Sequence, residues 1–400
     1  MNLNLTHIIS FCKGVFHGNS TEFTASHISI DSRSLQNGSN TLFFAIKGQN
    51  HDAHLYLEEL IAKGVHYFVV EYIPEHVYEK ANFIIVENSL NALQQTAIGY
   101  RKQFDFPFVG ITGSNGKTIV KEWLNFLLSP NHLIVRNPKS YNSQVGVPLS
   151  ILAIEGNYDL GIFEAGISLP NEMSNLEQII QPKYGVLTNI GSVHDEGFSN
   201  REAKIKEKIH LFENCSNIFL EKNTEIEVLL PENSQKHTWS FSDESANLFV
   251  SKKIENGKTE LTFKNAASTF SVIIPFSDEN SIENVITCVN FMLFLGEEIA
   301  FIQNRVAELY PVELRLQAKK GINNCLVIDD SYSVDYQSLK IALDFLEQQK
   351  LHDKKTIILS DIFSSGVAAE TLYNQVKQLL SKNKIERIIT IGETIGKQLN

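Results

Sequence analysis

Cysteine is scarce: Cys12, Cys215, Cys288 and Cys325 are the four in 400 residues, and no two form a CxxC pair. A disulfide framework or a structural zinc site needs closely spaced cysteines, so neither is expected, and a cytoplasmic location is the default. Positive charge is also short. Lys and Arg number 35 against 46 Asp and Glu, a net charge of −11. That argues against a nucleic-acid partner, whose footprint would be a basic surface. It leaves room for an anionic ligand, because one pocket of backbone N–H groups can hold a phosphate in an acidic protein. Long apolar runs are missing: none approaches the ~18 residues that span a bilayer, so no membrane insertion is expected. The opening MNLNLTHIISFCKGVF lacks the basic stretch and small-residue cleavage site of a signal peptide. Internal repeats and low-complexity tracts are absent too.

What the chain has is apolar bulk. Hydrophobic residues make up 43% and aromatics 10%, enough for large cores and too much for a disordered chain. At ~150 residues per domain the length implies two or three domains. The first hundred residues read as βαβ: TLFFAIKG is a strand, EELIAKG a helix ending in glycine, HYFVVE a second strand. A new start follows at FPFVGIT, and DLGIFEA, YGVLTNI and NIFL are near-continuous apolar runs, as parallel strands covered on both faces require. Alternation around Asn256-Gly257 marks a hairpin, read as an antiparallel insertion near 238–275. A helix begins near Ser281, and CLVIDD, TIILSD and RIITIG are strands of a third unit.

Between strand FPFVGIT and the helical pattern KTIVKEWLNFLL lies GITGSNGKT, Gly110 to Thr118. Gly113 and Gly116 let the backbone turn N–H groups inward around Ser114 and Asn115, and the helix start adds partial positive charge. Lys117 can reach the β- and γ-phosphates of a nucleotide, and the Thr118 hydroxyl can ligate Mg²⁺. Strict Walker spacing fails because position 111 is isoleucine. A glycine turn before an ordinary helix would give the same letters. Glu164 ends a buried strand, costly for a carboxylate unless it faces a cleft, a cation or solvent.

The spacing GxxGxxGKT with its TGSNGKT core resembles the Mur ligase family, whose cytoplasmic enzymes join amino acids or peptides to a UDP-linked muramic acid, and further motifs follow in family order. The resemblance implies an α/β fold of three domains: a UDP-substrate domain (1–105), a central parallel-sheet ATPase domain (106–312), and a Rossmann-like domain (313–400) expected to be incomplete. Glu164, in the family's E-x-G, is implied to be an Mg²⁺ ligand. His194, in NIGSVHDEGF, carries over to a second Mg²⁺ by motif, since Mg²⁺ chemistry itself favours oxygen. REAKIKEKIHLF would otherwise read as a solvated charged helix; the family carries one lysine here as a carbamate, and Lys208, with Leu211 and Phe212 behind it, fits better than Lys206. Asn284 matches an adenine contact, although Glu283 stands where the family usually has histidine. Arg315 is implied to reach the ATP phosphates and Asp330 the ribose.

IDSRSLQNGSNTLFFAIKGQNHDAHLY resembles the UDP pocket of the branch that adds a dipeptide, implying substrate roles for Ser32, Arg33, Lys47, Asp52 and His54. KSYNSQVGVPLS places Asn142 on the muramoyl-peptide side. In IDDSYSVDYQSL, Ser333 and Tyr336 replace the family's Asn and Pro, as Ser143 replaces an Asn earlier.

The implied reaction is ATP-dependent addition of D-alanyl-D-alanine to UDP-N-acetylmuramoyl-tripeptide through an acyl phosphate, with ATP, two Mg²⁺ and a carbamylated Lys208. The alternatives are the ligase adding the third amino acid, folylpolyglutamate synthase, which shares the phosphate loop but lacks the UDP-type segment, and a non-catalytic nucleotide-binding module. The resemblance is nearest to a form fused at its C-terminus to alanine racemase.

Overall fold

The computed structural model describes residues 3–33, 38–48, 51–190, 200–311, 317–322, 325–331, 336, 339–340, 342–343, 346, 354–362 and 368–399. The chain separates into two units. The first comprises residues 1–110, 132–166 and 173–183, and the second residues 111–131, 167–172 and 184–400.

In the first unit, β1 (Leu3–Asn4) leads into α1 (Leu5–Cys12), whose N-cap Asn4 accepts the His7 N–H at 2.8 Å. β2 (Val15–His17), β3 (Thr24–Ala25), β4 (His27–Ser29), β5 (Thr41–Phe44), α2 (Leu57–Ala62), β6 (Tyr67–Val70), β7 (Asn82–Ile85) and α3 (Ser89–Arg101) follow. Five of these strands form a sheet in the order β2-β7-β6-β5-β4, in which β4 through β7 run parallel and β2 is antiparallel. The expected βαβ unit is therefore present. β5 and β6 are buried along their whole length, and Phe43, Phe68, Phe83, Leu57 and Leu60 make one core beneath α2.

β8 (Phe108–Thr112) begins in the first unit and ends in the second, where α4 (Lys117–Leu128) follows it. Helical spacing alone made α4 legible: it buries Val120, Trp123, Leu124, Leu127 and Leu128. In the first unit β9 (Ile134–Arg136), α5 (Gly146–Leu152), β10 (Leu160–Glu164) and α6 (Glu172–Ile180) complete the list, and β9 pairs in parallel with β10. The Arg101 guanidinium donates to the carbonyls of Ile180 (2.9 Å) and Phe104 (2.8 Å) and lies 3.6 Å from the centre of the Phe108 ring.

The second unit continues with β11 (Tyr184–Leu187), α7 (Arg201–Ile209), β12 (Asn217–Glu221), α8 (Thr224–Glu227), β13 (Gln235–Ser240), β14 (Leu248–Glu255), β15 (Lys258–Lys264), β16 (Thr269–Ile274), α9 (Glu279–Phe294) and α10 (Ile299–Ala307). Its strands lie in the order β16-β15-β14-β13-β12-β11. β11 through β14 pair in parallel, and β15 runs antiparallel to its neighbours β14 and β16. The segment expected as an insertion near 238–275 thus turns antiparallel only from Leu248, and its strands extend the sheet. The reason is local: β13 is covered by α9, whereas the hairpin's polar alternation suits a sheet with one open face. Asn256 (φ 52°) and Gly257 (φ 75°) both turn left-handed between the paired Glu255 and Lys258.

Farther along, β17 (Gln317–Lys320) pairs antiparallel with β18 (Leu326–Asp329), and β19 (Thr356–Ser360) pairs in parallel with β20 (Arg387–Ile391). α11 (Ala369–Lys382) and α12 (Glu393–Leu399) supply Tyr373, Val376 and Ile395 to a core with Leu359.

At Gly257 an added Cβ would meet no atom within 4 Å, so a substitution there probes backbone conformation alone. Gly257→Ala is expected to cost about 1 kcal/mol in chemical denaturation, through the left-handed φ, with no effect on nucleotide binding.

Candidate functional site

Strand β8 ends at Thr112 because the chain must turn at once into α4. Gly113 (φ 149°) and Gly116 (φ 82°) make that turn possible. At 113 a Cβ would lie 2.0 Å from the Thr188 hydroxyl and 2.9 Å from the Asn189 carbonyl; at 116 it would lie 2.4 Å from Asn284 Oδ1. No larger residue fits either position. Thr188 and Asn189, directly after β11, pin the loop. The Ser114 N–H donates to the Asn189 carbonyl (2.8 Å), the Asn115 N–H to Asn189 Oδ1 (3.0 Å), and the Thr188 hydroxyl to the Asn115 carbonyl (2.5 Å). Gly116 is the N-cap of α4 and brings no side-chain cap, so the helix starts directly at the loop, with the positive end of its dipole there.

Two lysines meet at this turn. Lys117 Nζ donates to the Gly113 carbonyl (2.9 Å) and the Ser114 carbonyl (3.3 Å), and Lys208 Nζ donates to the same Gly113 carbonyl at 3.1 Å. The second unit therefore assembles Gly113, Ser114, Asn115, Gly116, Lys117, Lys208 and Asn284, with Thr118 in the first turn of the helix. Expectation and structure part on the α7 lysines. A solvated charged helix would expose most of its lysines, yet Lys204 (2% exposed) and Lys208 (4%) are buried. They are four residues apart and share a face, while Lys206 points outward and pairs with Glu202 at 2.6 Å.

Next to Asn284 the carboxyl of Glu283 is pushed up to about 7, by burial first, then by Glu221 at the end of β12 and by Glu279 and Asp278; Lys252 of β14 opposes the shift. Lys252 is itself ion-paired with Glu279.

In the first unit, Glu164 at the end of β10 is fully buried. Its N–H donates to Asn137 Oδ1 (3.1 Å) and its carbonyl accepts from Asn137 Nδ2 (3.1 Å), which also donates to the Tyr141 carbonyl (2.8 Å). Asn142 is held beside it: the Gly166 N–H donates to the Asn142 carbonyl at 2.9 Å, and a Cβ at 166 would touch the Asn142 amide at 3.0 Å. Asn137 thus joins the Glu164 and Asn142 segments. A single buried asparagine carries no motif, so the sequence offered no signal for it.

The residues assigned to the N-terminal pocket follow the carboxyl ends of β4 and β5. Arg33 forks onto Asp31 (2.9 and 3.0 Å), and this hydrogen-bonded pairing holds the Asp31 carboxyl down to about 2. The Ser32 carbonyl accepts from Lys63 at 2.9 Å. Lys47 Nζ lies 4.0 Å from Asp52. His54 faces inward, 2% exposed: its Nδ1 lies 2.6 Å from Asp52 Oδ1 and its Nε2 accepts the Glu71 N–H at 3.0 Å. Asp330 follows β18, where its neighbour Asp329 pairs with Lys319 at 3.1 Å. His194 and Arg315 lie outside the described residues.

Against known proteins, the Mur ligase middle domain matches residues 111–292. The UDP-N-acetylmuramoyl-tripeptide–D-alanyl-D-alanine ligase of Bacillus subtilis is 25% identical over 97% of this chain and 84% of its own length. The chain belongs to the Mur ligase family. MurF from Acinetobacter baumannii shares this Mur ligase's fold with a TM-score of 0.86 at 21% identity, over 100% of this chain and 88% of that one. The MurF ligase of Thermotoga maritima in complex with ADP gives 0.76 at 22% identity, over 93% and 90%. The α/β class and three-domain Mur ligase architecture expected from the sequence are the ones this likeness shows. Fusion to alanine racemase has no support in these comparisons.

Two outcomes follow from the geometry. Gly116→Ala should abolish binding of a fluorescent ATP analogue, because the new methyl meets Asn284 on a left-handed backbone. Glu283→Gln should raise the melting temperature by a few degrees at pH 8. A carboxyl whose folded value exceeds its unfolded one is destabilising once ionised, so the gap should close as pH falls from about 7 towards 4.5. A constant gap across that window would rule out Glu283 as its source.

Proposed function

We propose that this Mur ligase joins D-alanyl-D-alanine to UDP-N-acetylmuramoyl-tripeptide at the expense of ATP, in the cytoplasm. The observation that carries the reading is likeness along 97% of the chain to a ligase of that name. The glycine loop, whose two glycines admit no side chain, supplies the nucleotide-phosphate cradle such a reaction needs. Residues 1–105 would hold the UDP substrate, 106–312 the ATP, and 313–400 would belong to the third domain.

The terminal carboxylate of the tripeptide attacks the γ-phosphorus and ADP leaves. The dipeptide amine then attacks the acyl carbon, loses a proton, and expels phosphate. Phosphoryl transfer depends mainly on positioning and electrostatics. The start of α4, directly after Gly116, would face the phosphates, and Lys117, which donates to the Gly113 and Ser114 carbonyls, would swing outward to reach the γ-phosphoryl group. Asn284, against Gly116, would take the adenine; Asp330 would take the ribose and Arg315 the phosphates. Ser32, Arg33, Lys47, Asp52 and His54 would form or support the UDP pocket, with Asn142 on the peptide side.

By motif, Thr118 and Glu164 are each assigned to Mg²⁺: a hydroxyl and a buried carboxylate are the hard oxygen donors that ion takes beside substrate phosphates. Mg²⁺ would neutralise charge on the transferring group; His194 is assigned to a second ion. Lys208 as a bare ammonium would oppose a nearby cation. Loss of one proton from the ammonium frees the amine, and its reaction with CO₂ releases a second and gives a carbamate, turning the cation into an anion while keeping an N–H for the Gly113 carbonyl.

Phosphate release should require UDP-N-acetylmuramoyl-tripeptide, ATP and D-alanyl-D-alanine together. Release with a single diamino acid in place of the dipeptide would move the chain to the neighbouring step of the family. Lys208→Ala should lose at least tenfold in kcat and recover in part with short carboxylic acids; full activity in that variant would remove Lys208 from the site.

A further inference from the structure

Tyr72 has no part in the motifs above, yet its setting is that of a binding residue. It lies two positions beyond the carboxyl end of β6, and Lys47 and Asp52 follow the carboxyl end of its parallel neighbour β5. In open α/β sheets, ligands bind outside those ends. The Tyr72 side chain is 44% exposed but not loose. One face of its ring stacks on the buried His54 imidazole, with centroids 4.3 Å apart and planes within 10°, and its hydroxyl donates to Asp52 Oδ2 at 3.1 Å.

Everything behind the ring is anchored. His54 Nε2 accepts the Glu71 N–H, which places the ring proton on Nδ1, facing Asp52 Oδ1. Asp52 also caps the turn at Ala53–Tyr56 by accepting the His54 N–H at 3.0 Å. Lys47, its side chain half-exposed, stands 4.0 Å from the same carboxylate. One carboxylate therefore fixes an aromatic face and a cation side by side at a ligand-binding edge. An exposed ring held this firmly binds a flat partner with little entropy left to lose.

We propose that the outer face of Tyr72 stacks on the uracil base of the UDP-linked substrate, with Lys47 beside it for the diphosphate. The assignment rests on the UDP-muramoyl substrate proposed above. His54 and Asp52 then act as positioning residues: they hold the platform without touching the ligand through the imidazole.

The test is titration of the purified chain with UDP and, separately, with inorganic pyrophosphate, alongside steady-state kinetics. Tyr72→Ala should weaken UDP binding about tenfold and raise the KM for the UDP substrate similarly. It should leave pyrophosphate binding, the KM for ATP and kcat near wild type. Tyr72→Phe keeps the ring and should lose no more than about threefold. Unchanged UDP affinity in Tyr72→Ala, or equal losses for UDP and pyrophosphate, would overturn the stacking role while leaving the ligase reading intact. Wild-type protein that binds no UDP at all would overturn both. Tyr72→Leu, which retains apolar bulk without a π face, should behave as Tyr72→Ala; wild-type affinity there would also overturn the proposal.

Discussion

The glycine loop of this Mur ligase depends on one steric constraint: between β8 and α4 the backbone must pass so close to Thr188, Asn189 and Asn284 that a Cβ at 113 or 116 would collide with them. Because the turn is tight, it brings the start of α4 to the end of β8. Because Asn189 accepts the Ser114 and Asn115 N–H groups and Thr188 donates to the Asn115 carbonyl, the loop keeps its shape before a ligand arrives. Such pre-organisation matters for phosphoryl transfer, where a catalyst chiefly positions and neutralises charge.

In a chain of net charge −11 the same turn gathers two cations. Lys117 and Lys208 converge on one carbonyl, and burial of Lys208 keeps its amine from being dispersed into solvent. Acidic groups stand near as well: next to Asn284, burial and the repulsion of Glu221 and Glu279 push the Glu283 carboxyl up to about 7. At the N-terminal sheet the logic differs. There Asp52 organises its surroundings, taking bonds from His54 and Tyr72 with Lys47 close by.

Legibility followed how local each signal was. The phosphate loop could be read because glycine spacing, a preceding strand and a following amphipathic helix lie within twenty residues. The hairpin at Asn256-Gly257 was equally local, since two left-handed residues in succession need that pair. Asn137 could not be read: its role is to bridge the backbone of Glu164 to that of Tyr141, which only the completed fold brings near. Thr188 and Asn189 were similarly silent, being ordinary polar letters after an apolar strand. His54 was legible as part of a motif but not in its orientation, and Tyr72 belonged to no motif.

The sequence by itself determined the α/β class, the order of the strands that carry the site, and the chemistry of the loop, because hydrophobic period and glycine placement act over a few residues. Tertiary structure decided which groups meet. A helix bearing Lys204, Lys206 and Lys208 states only that the first and third share a face. Which face turns toward Gly113 depends on burial of Ile205, Ile209 and Phe212 against the rest of the unit. Packing energy summed over distant residues sets that choice, and no short stretch of sequence contains it.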